Sequence, residues 1–375
     1  MLSFITVEEL NRRIQSPGGV FILDVRSASD YLEWHIEDYG VESVNIAGSI
    51  LQKGIPEGQL PKNREIVVVC AKGKSAQEVT HFLKGKGYAV VYLQGGMEAW
   101  SEFYRKVQVT SSAALEMLQV IRPAKGCLSY FLYSQGEALV VDPARHIEEY
   151  LELAKAKGVQ IRHILDTHLH ADHISGGHAL SVRTGGKYWI AASEMQGGEI
   201  PFEALTDGLV LKFGESSLEV LAIPTPGHTP GSTSFLVNGK FLLSGDTVFV
   251  SGLGRPDLGG KAREWAKMLY ETVIQRINKL SDDVIVLPAH YSDFREVSKA
   301  GYIGATLGEL RATNELVRGG EESVFTEAVA GQTGAATPPN YETIVKINRG
   351  EVSVGDEEAT ELEIGPNRCA VKHLA

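Results

Sequence analysis

The sequence predicts an α/β protein of two domains, a parallel sheet with helices on both faces followed by two sheets framed by helices. The first third alternates short apolar runs with helical patterns, which is typical of parallel strands buried on both faces. Beyond residue 109 the strand-like runs become more frequent, and some follow each other without a helix between them. At 375 residues the chain is long enough for two to three domains. We therefore expect domains at residues 1–106 and 109–375.

The elements of the first domain follow from its apolar runs. Strands are predicted at residues 20–25, 66–70 and 89–93, and a helix at 75–84, where apolar side chains share one face. Thr6 and Glu9 predict the capped start of an N-terminal helix. Ligands collect at the carboxyl ends of parallel strands, and Cys70 ends one of them.

The second domain has a longer series of predicted elements. Helices are expected at 147–157 and 263–280, and the tail from 331 to 369 has weak strand signals. Strands are expected at 129–132, 138–141, 161–166, 188–191, 210–213, 218–223, 234–237, 241–244 and 284–287. The sensible interpretation is two sheets with helices outside them.

Composition excludes several partners. The net charge of −11 argues against nucleic acid, since that interaction requires an excess of Lys and Arg. No apolar run approaches the roughly 20 residues that span a bilayer, and the N-terminus lacks the pattern of a secretion signal. Three widely spaced cysteines indicate a reducing, cytoplasmic environment rather than a disulfide framework. A homo-oligomer is compatible with the sequence.

Seven candidate metal ligands each follow a predicted strand, so they could converge on one sheet edge. They are His168, His170, Asp172, His173, His228, Asp246 and His290. Hydrogen-bonded structural roles are expected instead for His35, His81, His146, His163, His178 and His373. The joint spacing of the seven predicts a metal site, because histidines and carboxylates so placed are hard to attribute to chance.

These segments resemble the metallo-β-lactamase superfamily from about Cys127 to His290, which implies an αββα sandwich. Residues 251–257 (SGLGRPD) look like those of the persulfide dioxygenases of the ethylmalonic-encephalopathy-protein type, as do residues 365–369 (GPNRC). Glyoxalase II is the close relative with the same ligand set.

The resemblance implies two uses of the seven ligands. The dioxygenase type implies one Fe(II) per chain, held by His168, His228 and Asp246, a two-histidine, one-carboxylate set. The remaining four, His170, Asp172, His173 and His290, would then orient ligands from outside that set. The hydrolase type implies two zinc ions instead: one at the positions of His168, His170 and His228, the other at those of Asp172, His173 and His290, with Asp246 bridging.

Arg255 offers a planar fork to a substrate carboxylate or phosphate, the alternative being a surface ion pair. The SGLGRPD segment that contains it favours the dioxygenase.

A second reactive group is predicted at Cys70. The loop of Ala71, Lys72, Gly73, Lys74 and Ser75 lies between a strand and a helix, so backbone N–H groups could surround the sulfur. The two lysines would favour the thiolate, the form that accepts and donates sulfane sulfur. The alternative is a cysteine that only packs, which is the expectation for Cys127 and Cys369.

Residues 1–106 resemble a single-domain rhodanese in the Cys70 loop and in residues 22–26 (ILDVR) and 91–96 (VYLQGG), with Trp100. Two departures occur: Trp34-His35-Ile36 replaces the usual Gly-His-Ile, and Lys74-Ser75 stands where an arginine is common. The second departure leaves the identity of the sulfur acceptor open.

Together the two resemblances imply a persulfide dioxygenase coupled to sulfur transfer through Cys70. The substrates would be a small thiol persulfide and O₂, with sulfite and thiosulfate exchanged at the cysteine. Two alternatives stay open: a dinuclear zinc thioester hydrolase of the glyoxalase II type, and a Cys70 domain that only carries sulfur. The carrier thiol is not fixed, since Tyr291-Ser292-Asp293 departs from the pattern of the glutathione-using enzymes.

Overall fold

The computed structural model describes residues 3–51, 53–214, 219–256, 261–331 and 340–367, without the side chains of 219–222. The chain divides into two compact units, one formed mainly by the residues up to Tyr104 and the other mainly by those after it. Cys369, His373, Asp257 and the Pro338-Pro339 turn lie outside the described residues. None of the described helices is long and apolar enough to cross a membrane.

The first unit contains a five-stranded parallel sheet with strand order β1-β5-β4-β2-β3. Its strands are β1 (Phe4–Ile5), β2 (Val20–Asp24), β3 (Val41–Asn45), β4 (Ile66–Val69) and β5 (Val90–Leu93). Its helices are α1 (Val7–Ile14), α2 (Ala28–Glu33), α3 (Gly48–Leu51), α4 (Lys74–Gly85) and α5 (Gly96–Ser101). The three strands expected from the sequence are present. Strand β3 escaped prediction because none of its residues is fully buried.

Helices cover both faces of this sheet, as the sequence predicted. Alternate residues of β4 point to opposite faces: Ile66 and Val68 belong to the apolar cluster that contains residues of α4, whereas Val67 and Val69 belong to the cluster that contains residues of α1 and α5. The hydroxyl of Thr6 accepts a hydrogen bond from the Glu9 backbone and so caps α1.

The second unit contains two sheets. The seven-stranded sheet is formed by β6 (Arg105–Ser111), β7 (Glu116–Arg122), β8 (Cys127–Ser134), β9 (Glu137–Val141), β10 (Gln160–Leu165), β11 (Lys187–Ala191) and β12 (Glu203–Leu205). The six-stranded sheet is formed by β13 (Val210–Lys212), β14 (Glu219–Pro224), β15 (Thr233–Val237), β16 (Phe241–Gly245), β17 (Ile285–Pro288) and β18 (Ala305–Thr306). Parallel pairing occurs where helices intervene, as between β9 and β10 and between β16 and β17.

The two sheets pack face to face, and helices cover their outer faces. Tyr130 and Leu139 of the first sheet share an apolar cluster with Phe235 and Leu243 of the second. The outer helices are α6 (Glu148–Lys157), α7 (Gly177–Thr184), α8 (Ala262–Glu271), α9 (Leu307–Thr313), α10 (Glu315–Arg318) and α11 (Glu322–Gly331). This is the αββα sandwich that the sequence predicted.

The tail differs from the prediction. Its described part forms two helices, α12 (Tyr341–Asn348) and α13 (Asp356–Glu363), and no strand. Ile344 and Ala359, one on each helix, pack against Ile174 of the loop that follows β10. The weak strand signals were misleading because this packing, which is remote in sequence, outweighs local propensity.

Candidate metal centre and cysteine loop

The seven predicted ligands lie at one end of the sandwich because each follows a strand. His168, His170, Asp172 and His173 lie in the loop after β10, which we call the metal loop (residues 166–175). His228 lies between β14 and β15, and Asp246 and His290 follow β16 and β17. All seven side chains are buried.

A three-donor group is formed by His168, His228 and Asp246. The Nε2 atoms of His168 and His228 lie 3.6 Å and 3.4 Å from Oδ2 of Asp246. Buried Nε2 of His168 and Oδ2 of Asp246 have no hydrogen-bond partner among the described residues. Orphaned buried polar atoms are costly, so a bound cation explains them. The two-histidine, one-carboxylate donor set fits an iron(II) ion.

The other ring nitrogens of this group are occupied. Nδ1 of His228 lies 2.9 Å from the carbonyl oxygen of Arg255, and Nδ1 of His168 lies 2.9 Å from the hydroxyl of Thr167. These contacts fix the ring orientations and leave Nε2 for a metal. Burial, together with His170, holds the pKa of His168 well below its usual range, which favours the neutral imidazole that binds metals.

His170 belongs to a different group. Its Nε2 atom lies 3.3 Å from Asp142 and 3.8 Å from Asp166, two buried carboxylates. Burial acts to lower the pKa of His170, but the two carboxylates outweigh it and raise the pKa well above its usual value. Its Nδ1 atom makes no hydrogen bond with a described residue, and its ring centroid lies 4.4 Å from that of His168.

The last group contains Asp172, His173 and His290, and also Cys127. Sγ of Cys127 lies 3.5 Å from Asp172 and 3.8 Å from Nδ1 of His173. Burial and Asp172 act to raise the pKa of Cys127, but His173 and His290 outweigh them and lower it. The expectation that Cys127 only packs is wrong, because the start of β8 pairs with His290 and carries the thiol to the ligands. Lys125, two residues before Cys127, did not by itself signal this position.

Further residues that sequence reasoning missed hold the metal loop in place. Asp142 accepts hydrogen bonds from the Thr167 backbone and hydroxyl at 2.7 and 3.0 Å. Glu194 accepts from the Leu169 backbone at 3.0 Å, and Glu363 of α13 from the Ile174 backbone at 2.6 Å. The only sequence signal was at Asp142, which ends a predicted strand.

Arg255 is buried rather than at the surface, and its carbonyl oxygen is the partner of His228. The described structure ends one residue after it and resumes at Lys261. Its proposed role in substrate binding stays a prediction.

In the first unit, Cys70 follows β4 and its side chain is buried. Its sulfur accepts a hydrogen bond from the backbone N–H of Ala76, at 3.2 Å, in the first turn of α4. Gly73, with φ of +88°, lets the loop turn into that helix. Lys72 is exposed and pairs with Glu98 at 2.9 Å, so part of its charge is offset.

The comparisons with known proteins agree with this architecture. The Metallo-beta-lactamase superfamily matches residues 122–290, and the Rhodanese-like domain family matches residues 6–103. The mitochondrial persulfide dioxygenase ETHE1 of Homo sapiens is 30% identical over 208 residues, which are 54% of this chain and 76% of that protein. The chain belongs to the metallo-β-lactamase superfamily. It also carries a rhodanese-like domain, so both predicted families are confirmed.

Other relatives of this superfamily enzyme are hydrolases. A hydroxyacylglutathione hydrolase of Polaromonas is 36% identical over 159 residues, 41% of this chain and 57% of the relative. Among solved structures, a Staphylococcus aureus metallo-β-lactamase has a TM-score of 0.58 at 26% identity, covering 65% of this chain and 75% of that one. ETHE1 from Myxococcus xanthus has a TM-score of 0.53 at 24% identity, covering 66% and 98%, and supports the fold alone.

Proposed function

We propose that residues 109–375 form a persulfide dioxygenase domain that uses one iron(II) ion. The observation that carries this proposal is the two-histidine, one-carboxylate group of His168, His228 and Asp246. Iron bound there would supply the one-electron chemistry by which O₂ reacts with a sulfur anion. The similarity to human persulfide dioxygenase supports the choice of sulfur substrate.

The proposed reaction converts a thiol persulfide anion, O₂ and water into the thiol, the sulfite dianion and one proton. The S–S bond breaks, the terminal sulfur gains three oxygen atoms, and the carrier sulfur leaves with a proton as the thiol. Two oxygen atoms come from O₂ and one from water. O₂ is reduced by the four electrons that the sulfane sulfur loses.

The protein's own groups would orient the reactants and limit water. Nδ1 of His290 lies 2.6 Å from Oδ1 of Asp246, so this carboxylate is held on one side while Oδ2 stays available. The neighbouring His168 and His228 are buried, which strengthens electrostatic interactions with an anionic persulfide. Arg255 would bind a carboxylate of the carrier thiol through its guanidinium group.

We propose that residues 1–106 form a sulfurtransferase domain with Cys70 as the nucleophile. The Cys70 thiolate would attack the sulfane sulfur of thiosulfate, forming a cysteine persulfide while sulfite leaves. The Ala76 N–H that contacts Sγ would stabilise the anionic sulfur before and after transfer. Described Cys70 and Cys127 are both free thiols, which supports work in a reducing compartment.

The second candidate is a dinuclear zinc thioester hydrolase. It is favoured by the 36% identity to a hydroxyacylglutathione hydrolase, and every side chain of the hydrolytic ligand set is present. The similarity to human persulfide dioxygenase, 30% identical over 208 residues, favours the dioxygenase instead.

Metal content and oxygen uptake test the proposal together. Protein purified without added metal is expected to contain about one iron per chain and to consume O₂ when given glutathione persulfide or coenzyme A persulfide. An Asp246→Asn variant is expected to lose the uptake. Zinc-only protein that cleaves a glutathione thioester and consumes no O₂ after iron loading would refute the dioxygenase and support the hydrolase.

A further inference from the structure

A buried carboxylate lies between the two loops that carry the histidines of the three-donor group. Glu194 follows β11 and is 5% exposed. Its Oε2 atom accepts a hydrogen bond from the backbone N–H of Leu169, at 3.0 Å, and its Oε1 atom accepts from that of Gly231, at 2.7 Å. Leu169 directly follows His168, and Gly231 comes three residues after His228. One side chain thus binds both histidine loops.

The fit between Glu194 and the second of these loops requires glycine. A Cβ atom on Gly231 would lie 2.4 Å from Oε1 and 2.6 Å from Cγ of Glu194. The backbone of Glu194 is held as well, since its N–H donates to the carbonyl oxygen of Ala191 and its carbonyl oxygen accepts from Nε of Arg349 at 3.0 Å. The carboxylate is therefore fixed at its backbone and is in close contact with the loop that it binds.

A tight turn connects this contact to His228. The Ser232 N–H donates to the carbonyl oxygen of Thr229, and Oγ of Ser232 accepts from the Thr229 N–H at 3.1 Å. Pro230 restricts the backbone between these two residues. A shift of Gly231 would therefore move Thr229, the residue next to His228.

The three-donor group depends on the distance between the two loops. The rings of His168 and His228 have their centroids 5.0 Å apart and their planes at 89°, and both Nε2 atoms face Oδ2 of Asp246. Ligand distances in a metal site are held to about 0.2 Å. The Thr233 N–H donates to the Thr167 carbonyl oxygen at 2.8 Å and so joins the loops at one point. Glu194 adds a second connection, and two connections oppose rotation of one loop against the other.

We propose that Glu194 is a positioning residue that sets the separation of His168 and His228, so that both can bind one metal ion together with Asp246. Glu194 belongs to none of the three donor groups found among the described residues, and it acts through the loop backbones. The inference rests on the proposed metal group, but it holds for iron and for zinc alike. A glutamine amide would place a donor against one of the two N–H groups, so Glu194→Gln should break one loop contact.

Iron binding tests this role. The metal-free full chain is titrated anaerobically with Fe²⁺ in competition with a chromophoric chelator, and the loaded protein is then exposed to nitric oxide, an EPR probe of iron geometry. Glu194→Gln should bind iron about 10- to 100-fold more weakly and change the rhombicity of the high-spin iron–nitrosyl signal. The matched control Glu199→Gln removes an exposed carboxylate from the same segment and should change neither. A role in folding alone would lower stability without altering the signal of the folded, loaded protein.

Unchanged iron affinity and an unchanged signal in Glu194→Gln would overturn the inference. Circular dichroism checks that this variant is folded. If it is not, Glu194→Asp replaces it, because the shorter side chain keeps both acceptor oxygens but cannot reach both loops, and the same changes are expected.

Oxygen uptake on the same preparations separates this inference from the proposed function. Uptake by the unchanged protein, together with unaltered iron binding in Glu194→Gln, refutes the positioning role alone. If the unchanged protein binds zinc and not iron, the dioxygenase is refuted, and zinc affinity then decides the role of Glu194. A weaker zinc affinity in Glu194→Gln would support the positioning role, and an equal one would refute it.

Discussion

Replacing Asn348 by alanine should loosen the metal loop from a distance. Asn348 ends α12, and its amide donates to the carbonyl oxygens of His170 and His173 at 2.8 and 2.9 Å. Its Oδ1 atom accepts from the Ser175 backbone at 2.9 Å, and the side chain is 6% exposed. Three such bonds at about 1 kcal/mol each give a loss of about 3 kcal/mol in the free energy of unfolding.

Metal binding should weaken along with stability. The two carbonyls that accept from Asn348 belong to His170 and His173, which are themselves candidate ligands. Displacement of this backbone would therefore move the donor atoms of the metal loop. Loss of such a supporting contact typically lowers metal affinity about 10- to 100-fold. Urea unfolding of the metal-free protein measures the first effect, and competition with a chromophoric chelator measures the second.

Two further variants make this reasoning refutable. Lys346→Ala changes an exposed residue of the same helix and should shift stability by less than about 0.5 kcal/mol. Asn348→Asp keeps the size of the side chain but turns acceptor oxygens toward two carbonyls, so it should be as damaging as alanine. If Asn348→Ala behaved like Lys346→Ala in both assays, or if Asn348→Asp were neutral, the support role would be refuted.

Three other predictions concern separate parts of the chain. Gly227→Ala should weaken iron binding, because the added Cβ would lie 2.4 Å from Leu269 and shift His228; normal iron content measured by elemental analysis would contradict this. Cys70→Ser should abolish thiosulfate sulfurtransferase activity and leave oxygen uptake at the other domain, and full transfer activity of this variant in a cyanide assay would show that Cys70 is not the nucleophile. Burial lowers the pKa of His163, whose Nδ1 atom accepts a hydrogen bond from the indole N–H of Trp189. The folded chain therefore binds fewer protons than the unfolded chain, and its free energy of unfolding falls as the pH falls through about 6.5. His163→Gln should reduce this pH dependence in unfolding measured from pH 8 to pH 5.

The fold could be predicted from sequence where apolar runs were continuous. Strand β4, with four buried residues, was clear, and so was the helix that follows Cys70. Strands β3 and β6 were missed because their residues are only partly buried and lack a continuous run. The tail was misread because its helices depend on packing against Ile174, and a local pattern carries no information about a contact so distant in sequence.

At the candidate site, the sequence indicated that the seven candidate residues would lie together, but not how they divide into groups. Each of the seven follows a strand, and that is visible in the sequence. Whether His170 joins His168 or turns to Asp142 depends on side-chain direction, which spacing does not contain. Cys127 was missed for the same reason, since it reaches the ligands only through the pairing of its backbone with His290.

The surroundings of His170 depend on two acidic side chains, Asp142 and Asp166, that precede the His168–His173 segment in sequence. Asp142 adopts a left-handed backbone with φ of +51°, which costs about 1–2 kcal/mol for a residue other than glycine. That conformation is retained because the carboxylate binds the Thr167 backbone and hydroxyl and also faces His170. A residue that is strained, buried and charged persists only where its contacts compensate. Thus Asp142, a carboxylate that binds no metal in the proposal, holds the start of the loop that carries His168 and His170.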